Sequence, residues 1–396
     1  MKILIISPYF PYPTTHGGKV RIFNIIKYFY KKGYQITLAS FPPVPKKDSH
    51  FFRYMKKFCK NIEELPSNDS IIPTYKIFFS KFPSFYIKYI SKKAGEKIDR
   101  IIEKNKFDII QIEYTYGGLS ILKKYPILTS LMLHEIEYET TKRKIKNAGF
   151  LKKFYWHFQN IKIKNIEKSI LRYPDICFVC SKIDRDYAKA LCSDIDVDII
   201  PNGVDTEYNK FSDKEPSFKN SLIFTGAMDT IPNQDGIMFF VREIMPLIEK
   251  KIPDIRVTVA GSNPQEKIKN LEYIYKNITV TGYVKDIRKY IYASTVFIAP
   301  LRIGGGTRLK ILEAMALGRP VVSTSVGCEG LEVENKKNIF IADEPEKFAE
   351  YIIKLLKDKR LRRKIAKNGR RLIEKKYRWD KIVNKLDKIY QKLVNK

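Results

Sequence analysis

Ala299-Pro300-Leu301-Arg302-Ile303-Gly304-Gly305-Gly306-Thr307-Arg308-Leu309-Lys310-Ile311-Leu312-Glu313-Ala314-Met315-Ala316-Leu317-Gly318 reads as a strand end, a glycine loop and a helix. The spacing predicts that helix over Thr307–Leu317. Three consecutive glycines let the backbone approach a ligand closely. The helix start behind them carries partial positive charge and suits an anion. Arg308 and Lys310 add full charges there, and an Arg can fork onto two phosphate oxygens. Glu313 stands alone in the apolar run Ile311–Ala316. A carboxylate in such a run needs partners, because burying it alone is costly. Ribose hydroxyls would serve. Anion donors with a buried acid one to two turns later describe a nucleoside-diphosphate site.

Outward from this stretch, short apolar strands alternate with amphipathic helices. Leu222–Thr225, Arg256–Ala260, Ile278–Val280, Val296–Ala299, Pro320–Ser323 and Ile339–Ala342 form one series, with helices expected near Gly236–Lys250 and Pro345–Lys357. An earlier series comprises Ile3–Ile6, Gln35–Ala39, Asp108–Ile112, Ser130–Leu133, Ile176–Cys180 and Val197–Ile200. Such alternation argues parallel sheets covered on both faces. Pro201-Asn202-Gly203-Val204-Asp205 and the polar residues up to Asn220 break the pattern as a linker would. The expected fold class is α/β, two Rossmann-like doubly wound domains facing a central cleft. Residues 1–203 form the first and 204–378 the second, with a helix over 379–396 returning to the first. Ligands of such sheets bind at the carboxyl ends of the strands.

Three further positions lie at such strand ends. Gly17-Gly18 closes the loop after the first strand and precedes a helix, where backbone N–H groups can meet an anion. Without G-x-G-x-x-G, neither a nicotinamide nor a flavin site is indicated. His134 follows Ser130–Leu133, with Glu135 and Glu137 beside it as candidate orienting groups. His134-Glu135-Ile136-Glu137 is not H-E-x-x-H, so zinc hydrolysis is unsupported. Ser181 follows Ile176–Cys180, where a helix cap explains it as well as a ligand contact does. Cys177 and Cys180 have CxxC spacing but sit inside an apolar strand, without a second pair to complete a metal site. The cysteines therefore point to a reducing cytoplasm. Asp194-Ile195-Asp196-Val197-Asp198 enters a strand and is not arranged for magnesium.

Taken together, the early Gly-Gly loop, Ile199-Ile200-Pro201-Asn202-Gly203-Val204-Asp205 and Ile311–Val322 resemble the family-four retaining glycosyltransferases of the GT-B fold. Thr225-Gly226-Ala227-Met228 with Pro232-Asn233-Gln234-Asp235-Gly236 and Phe239-Phe240 is similar to the subgroup that builds exopolysaccharide and other cell-surface glycans. The resemblance implies transfer of a sugar, a hexosyl group foremost, from a nucleotide-diphosphate sugar to a glycan or lipid-linked acceptor. It implies retention of configuration, no bound metal and no cofactor. It places His134 against the donor sugar as a catalytic residue and Glu313 on the ribose. The family's E-x7-E pattern has its first Glu where this chain has Gly305, so Gly305, Gly306 and Thr307 would hold the sugar through their backbones. The loop at Gly226 lacks the Arg and Lys of many relatives. Arg308, as a second catalytic residue, and Lys310 would supply that charge. Gly17, Gly18 and Gly226 complete the expected donor contacts. A nucleotide-sugar epimerase, acting on the donor alone, and a non-catalytic polybasic surface-binding protein are the competing readings.

The 396 residues carry 74 Lys+Arg against 43 Asp+Glu, a formal charge of +31. About half of that excess fits a composition rich in Lys, Ile, Asn and Tyr; the rest favours anionic partners. Lys81–Lys93 places Phe82, Phe85, Tyr86, Tyr89 and Ile90 at helical spacing with lysines opposite, and Phe51–Phe58 and Lys152–Trp156 have a similar character. Such faces fit an interfacial helix on an anionic membrane, the inner plasma-membrane face included. No apolar run approaches the roughly 20 residues of a membrane span. Nucleic acid is not an expected partner, since no recognised nucleic-acid-binding signature is present.

Overall fold

Met1-Lys2-Ile3-Leu4-Ile5-Ile6-Ser7 folds as β1 (Lys2–Ser7), buried from Ile3 onward. α1 (Gly17–Lys31) packs Ile22, Phe23, Ile26 and Phe29 into the same core, the face that their helical spacing predicts. The computed structural model describes residues 1–68, 80–121, 123–146 and 149–395. The first unit continues through β2 (Gln35–Ser40), β3 (Asn61–Glu64), β4 (Ile109–Glu113) and β5 (Leu128–Met132). α2 (Glu137–Lys146), α3 (Phe150–Leu171), β6 (Ile176–Val179) and β7 (Val197–Ile199) follow. The strands pair in parallel in the order β3-β2-β1-β4-β5-β6-β7. Parallel neighbours need long crossovers, so helices cover both faces and the apolar residues divide into two clusters. β3 escaped the sequence reading because Asn61-Ile62-Glu63-Glu64 is a polar edge strand without an apolar run.

The second unit repeats the logic. β8 (Ser221–Thr225), α4 (Ile231–Phe239), β9 (Arg256–Ala260), β10 (Ile278–Gly282) and β11 (Val296–Ala299) lead to α5 (Leu309–Ala316), β12 (Val321–Ser323) and β13 (Phe340–Ile341). The order is β10-β9-β8-β11-β12-β13, again parallel. The units are Met1–Pro201 with Trp379–Lys396, and Asn202–Arg378. α6 (Trp379–Val394) belongs to the first through buried Trp379, Leu386 and Tyr390. The Tyr34 hydroxyl donates to Asp387 at 2.7 Å, and the Tyr390 hydroxyl donates to Gln111 at 2.9 Å.

Three expectations need correction. The helix expected over Thr307–Leu317 starts at Leu309, because Gly304 (φ 121°) and Gly306 (φ 68°) hold the preceding loop in left-handed backbone that no right-handed helix admits. The helix expected over Gly236–Lys250 begins at Ile231 and passes through a π-helical stretch, Phe240–Ile244, before Met245–Glu249. Pro246 has no N–H to donate to the preceding turn, which favours the wider winding there. Third, Ser84–Tyr89 is a short 3₁₀ helix whose Tyr86 and Tyr89 are buried. Two of its aromatic side chains are thus taken up by the core, while Phe82, Phe85 and Ile90 stay half-buried. In Phe51–Phe58 likewise, Phe52 and Met55 are buried against the first sheet.

Candidate functional site

In the second unit the sheet order puts β8 beside β11, so the loops after them are neighbours. Gly226 follows β8 at φ 153°, and a Cβ there would lie 2.5 Å from Asn233 Nδ2 and 2.7 Å from Lys310 Nζ. Lys310, in the first turn of α5, donates from Nζ to Asn233 Oδ1 at 2.7 Å and lies 4.4 Å from the Phe224 ring centroid. Asn233 Nδ2 donates in turn to the Ala227 carbonyl at 2.9 Å. Burial, helped by the Arg308 charge, lowers the Lys310 ammonium to about 7. Burial also raises the Glu313 carboxyl to about 7, against the pull of Lys310. Two ionisable groups one turn apart on α5 thus sit near neutrality, which is characteristic of ligand sites. Gly226, Lys310 and Glu313 are brought together. The lysine stands beside Gly226, where the sequence shows no cation.

Arg308 behaves differently from expectation. Its guanidinium turns back into the glycine loop, donating to the Gly306 carbonyl at 2.6 Å and also to the Gly305 carbonyl. A Cβ on Gly304 would lie 2.8 Å from Arg308 Nη2. In this geometry Arg308 positions the loop instead of presenting a fork to a diphosphate. Thr307 Oγ1 accepts from Asn202 Nδ2 at 2.6 Å, which ties the Pro-Asn-Gly motif to the loop. Arg308→Ala should therefore act on stability. Losing charged donors to two carbonyls costs about 2 kcal/mol, or about 4–8 °C in Tm for a unit of this size. An unchanged melting curve would contradict the loop-positioning role.

In the first unit, α1 starts at Gly17 with His16 at its N-cap position, and no side chain among the described residues caps it. Gly18 is required by close approach, since a Cβ would fall 2.0 Å from the Tyr9 hydroxyl and 2.2 Å from that of Tyr114. Tyr114 stacks on His134 with ring centroids 3.8 Å apart. His134 Nε2 donates to Glu113 Oε2 at 2.7 Å, and Glu113 also accepts from Gln111. Burial lowers the His134 pKa, although the Glu113 hydrogen bond opposes this. The Glu113 bond fixes the orientation of the ring. Burial, helped by the Lys19 charge, lowers His16 to about 4.

The orienting carboxylate is Glu113, at the end of neighbouring β4, and not Glu135 or Glu137. Glu135 accepts from Thr140, while Glu137 belongs to a second acidic pair. There the Glu167 carboxylate accepts the Glu137 and Tyr138 N–H groups at 2.9 and 3.1 Å, and burial raises both acids to about 8. Glu113, Tyr114 and His16 were missed. Residues on different strands meet only after pairing, though Glu113 does end an apolar run. Ser181 caps a helix, accepting the Asp184 N–H at 3.1 Å. Cys177 and Cys180 are buried thiols raised to about 12 by burial, which makes them poor nucleophiles.

Comparison with known proteins adds independent findings. Residues 15–208 match the family described as Glycosyltransferase Family 4, and residues 219–358 match Glycosyl transferases group 1. The chain is 25% identical over 402 residues to an uncharacterized 44.6 kDa protein in the cps region of Klebsiella pneumoniae, covering 98% of this chain and 99% of the relative. It is 27% identical over 189 residues to the capsular polysaccharide biosynthesis glycosyltransferase CapM of Staphylococcus aureus, covering 46% of this chain and 49% of CapM. Among solved structures it is similar to a sucrose-phosphate synthase from Thermosynechococcus elongatus, with TM-score 0.77, 19% identity and 99% of both chains covered. Anabaena HepE in complex with UDP and glucose gives TM-score 0.69 at 14% identity, with 99% of both chains covered. These structural likenesses bear on the fold, which is GT-B.

Proposed function

Because the chain belongs to the glycosyltransferases, joining a family 4 domain to a group 1 domain, we propose that it moves a hexosyl group from a nucleotide-diphosphate sugar to a cell-surface glycan or lipid-linked acceptor, with retention. One observation carries this reading: Lys310 and Glu313 share the first turns of α5, with Lys310 against Gly226 and Asn233. The lysine charge stabilises the diphosphate as it leaves, a preorganised contact that strengthens as negative charge develops. Glu313 accepts from the ribose hydroxyls. The Gly304–Gly306 loop, held by Arg308, brings backbone N–H groups to the donor. His134, fixed by Glu113, contacts the transferred sugar, as in the family that the chain resembles. The relatives support a capsule or other surface glycan as the product, and the UDP in the HepE structure makes uridine the first base to try.

Titration calorimetry with UDP, GDP, ADP and CMP tests the donor site. Glu313→Ala should weaken binding of the preferred nucleotide about 10–100-fold, the worth of one or two charge-assisted hydrogen bonds, with an unchanged far-ultraviolet spectrum. Equal affinity in the variant removes Glu313 from the site. The anomeric configuration of the product, read by NMR, tests retention. Turnover unaffected by a chelator is the expected result if Lys310 supplies the charge that a metal would otherwise bring. Conversion of the donor to an epimeric sugar without any acceptor would indicate an epimerase, and absence of saturable nucleotide binding a non-catalytic protein.

A further inference from the structure

α3 has two unlike faces. Ile163 and Ile166 are buried in the first unit, and Gln159 Oε1 accepts the Ser84 N–H at 3.0 Å. Along the outer side run Phe150 (77% exposed), Phe154 (73%), Phe158 (40%) and Ile161 (49%), with Tyr155 (42%) beside them. Phe150, Phe154 and Phe158 are four residues apart, so they form one stripe on the helix. Exposing this much aromatic surface in one place marks an interaction site. Charge says what kind. Thr140 to Ile166 contains eight Lys/Arg and no Asp or Glu. Lys142 and Lys144 on α2 and Lys152, Lys153 and Lys164 on α3 are exposed, and α2 packs along α3. Lys144 Nζ lies 5.2 Å from the Trp156 ring centroid.

We propose that the Phe150/Phe154/Phe158/Ile161 stripe of α3, with its surrounding lysines, docks the protein on an anionic lipid bilayer. Aromatic side chains enter the interface while lysines meet the headgroups, and both terms act at one place. No helix among the described residues is long and apolar enough to cross a membrane, so the contact is a surface one. A second copy is a poor occupant, because two faces of this charge repel each other. The surface is not the one expected from Lys81–Lys93, where Tyr86 and Tyr89 are buried in the core.

Flotation with phosphatidylcholine vesicles, with and without phosphatidylglycerol, tests this on the full chain. Wild type should float with the anionic vesicles only, and less so at high salt. Lys153→Gln with Lys164→Gln should weaken partitioning about fivefold per lysine. Phe150→Ser with Phe154→Ser should weaken it about tenfold or more at unchanged Tm, since both rings are exposed. The chain has two tryptophans, and Trp379 is buried, so an emission blue-shift on vesicle binding reports Trp156 on α3 itself. Wild type that ignores anionic vesicles at low salt overturns the proposal. So does a phenylalanine variant that floats like wild type, and so does a dimer that the phenylalanine changes dissolve.

Discussion

UDP binding is expected to weaken about 50-fold between about pH 7 and about pH 9. The cause is Lys310, whose ammonium is lowered to about 7 by burial. An anionic diphosphate favours the charged lysine, so the complex holds its proton to higher pH than the free protein does. Above about 7 each binding event must take up a proton, and affinity falls about tenfold per pH unit. UDP is already fully ionised there, since the second phosphate pKa is about 6. Lys310→Met should bind weakly and without the alkaline loss. Glu313→Gln should keep the alkaline loss, which separates the lysine from the acid that titrates beside it. Calorimetric affinities for wild type that match at the two pH values would show that Lys310 does not face the diphosphate.

Gly261→Ala should be the most destabilising single methyl in the second unit. Gly261 follows β9 at φ 155°, and its Cβ would lie 1.7 Å from the Gly226 carbonyl oxygen on the adjacent strand. Backbone must move, because no side chain is there to yield. Overpacking and backbone strain together cost about 3–5 kcal/mol, a Tm loss of about 10 °C or more. UDP affinity should fall as well, since the displaced Gly226 stands against Lys310. Gly282→Ala is the control. It ends the next strand at φ 63° with nothing within 4 Å of its Cβ, so only the backbone preference of about 1–2 kcal/mol is lost. Similar melting temperatures for the two variants would refute the close-approach argument.

The arrangement of strands and helices follows from local chemistry. Apolar runs such as Lys2–Ser7 and Val296–Ala299, separated by helical periods, specify buried parallel strands whatever lies elsewhere in the chain. Gly304 to Gly306 before Leu309 marks the loop that ends β11, and Glu313 stands out because its neighbours are apolar. These features need only a few consecutive residues, so the sequence by itself determined them. Pairings across the chain needed the tertiary structure. Lys310 meets Asn233 only because β11 lies beside β8, and Glu113 meets His134 only because β4 lies beside β5. Periodicity carries no information on strand order. Arg308 was placed correctly along the chain, but its direction depends on left-handed glycines that fold the loop back over it. The two aromatic-basic segments make the same point. Lys81–Lys93 and Phe150–Ile161 look alike as sequence, since an apolar face serves core and membrane equally. The fold buries Tyr86 and Tyr89 and leaves Phe150 and Phe154 outside, and only packing against the rest of the unit makes that choice.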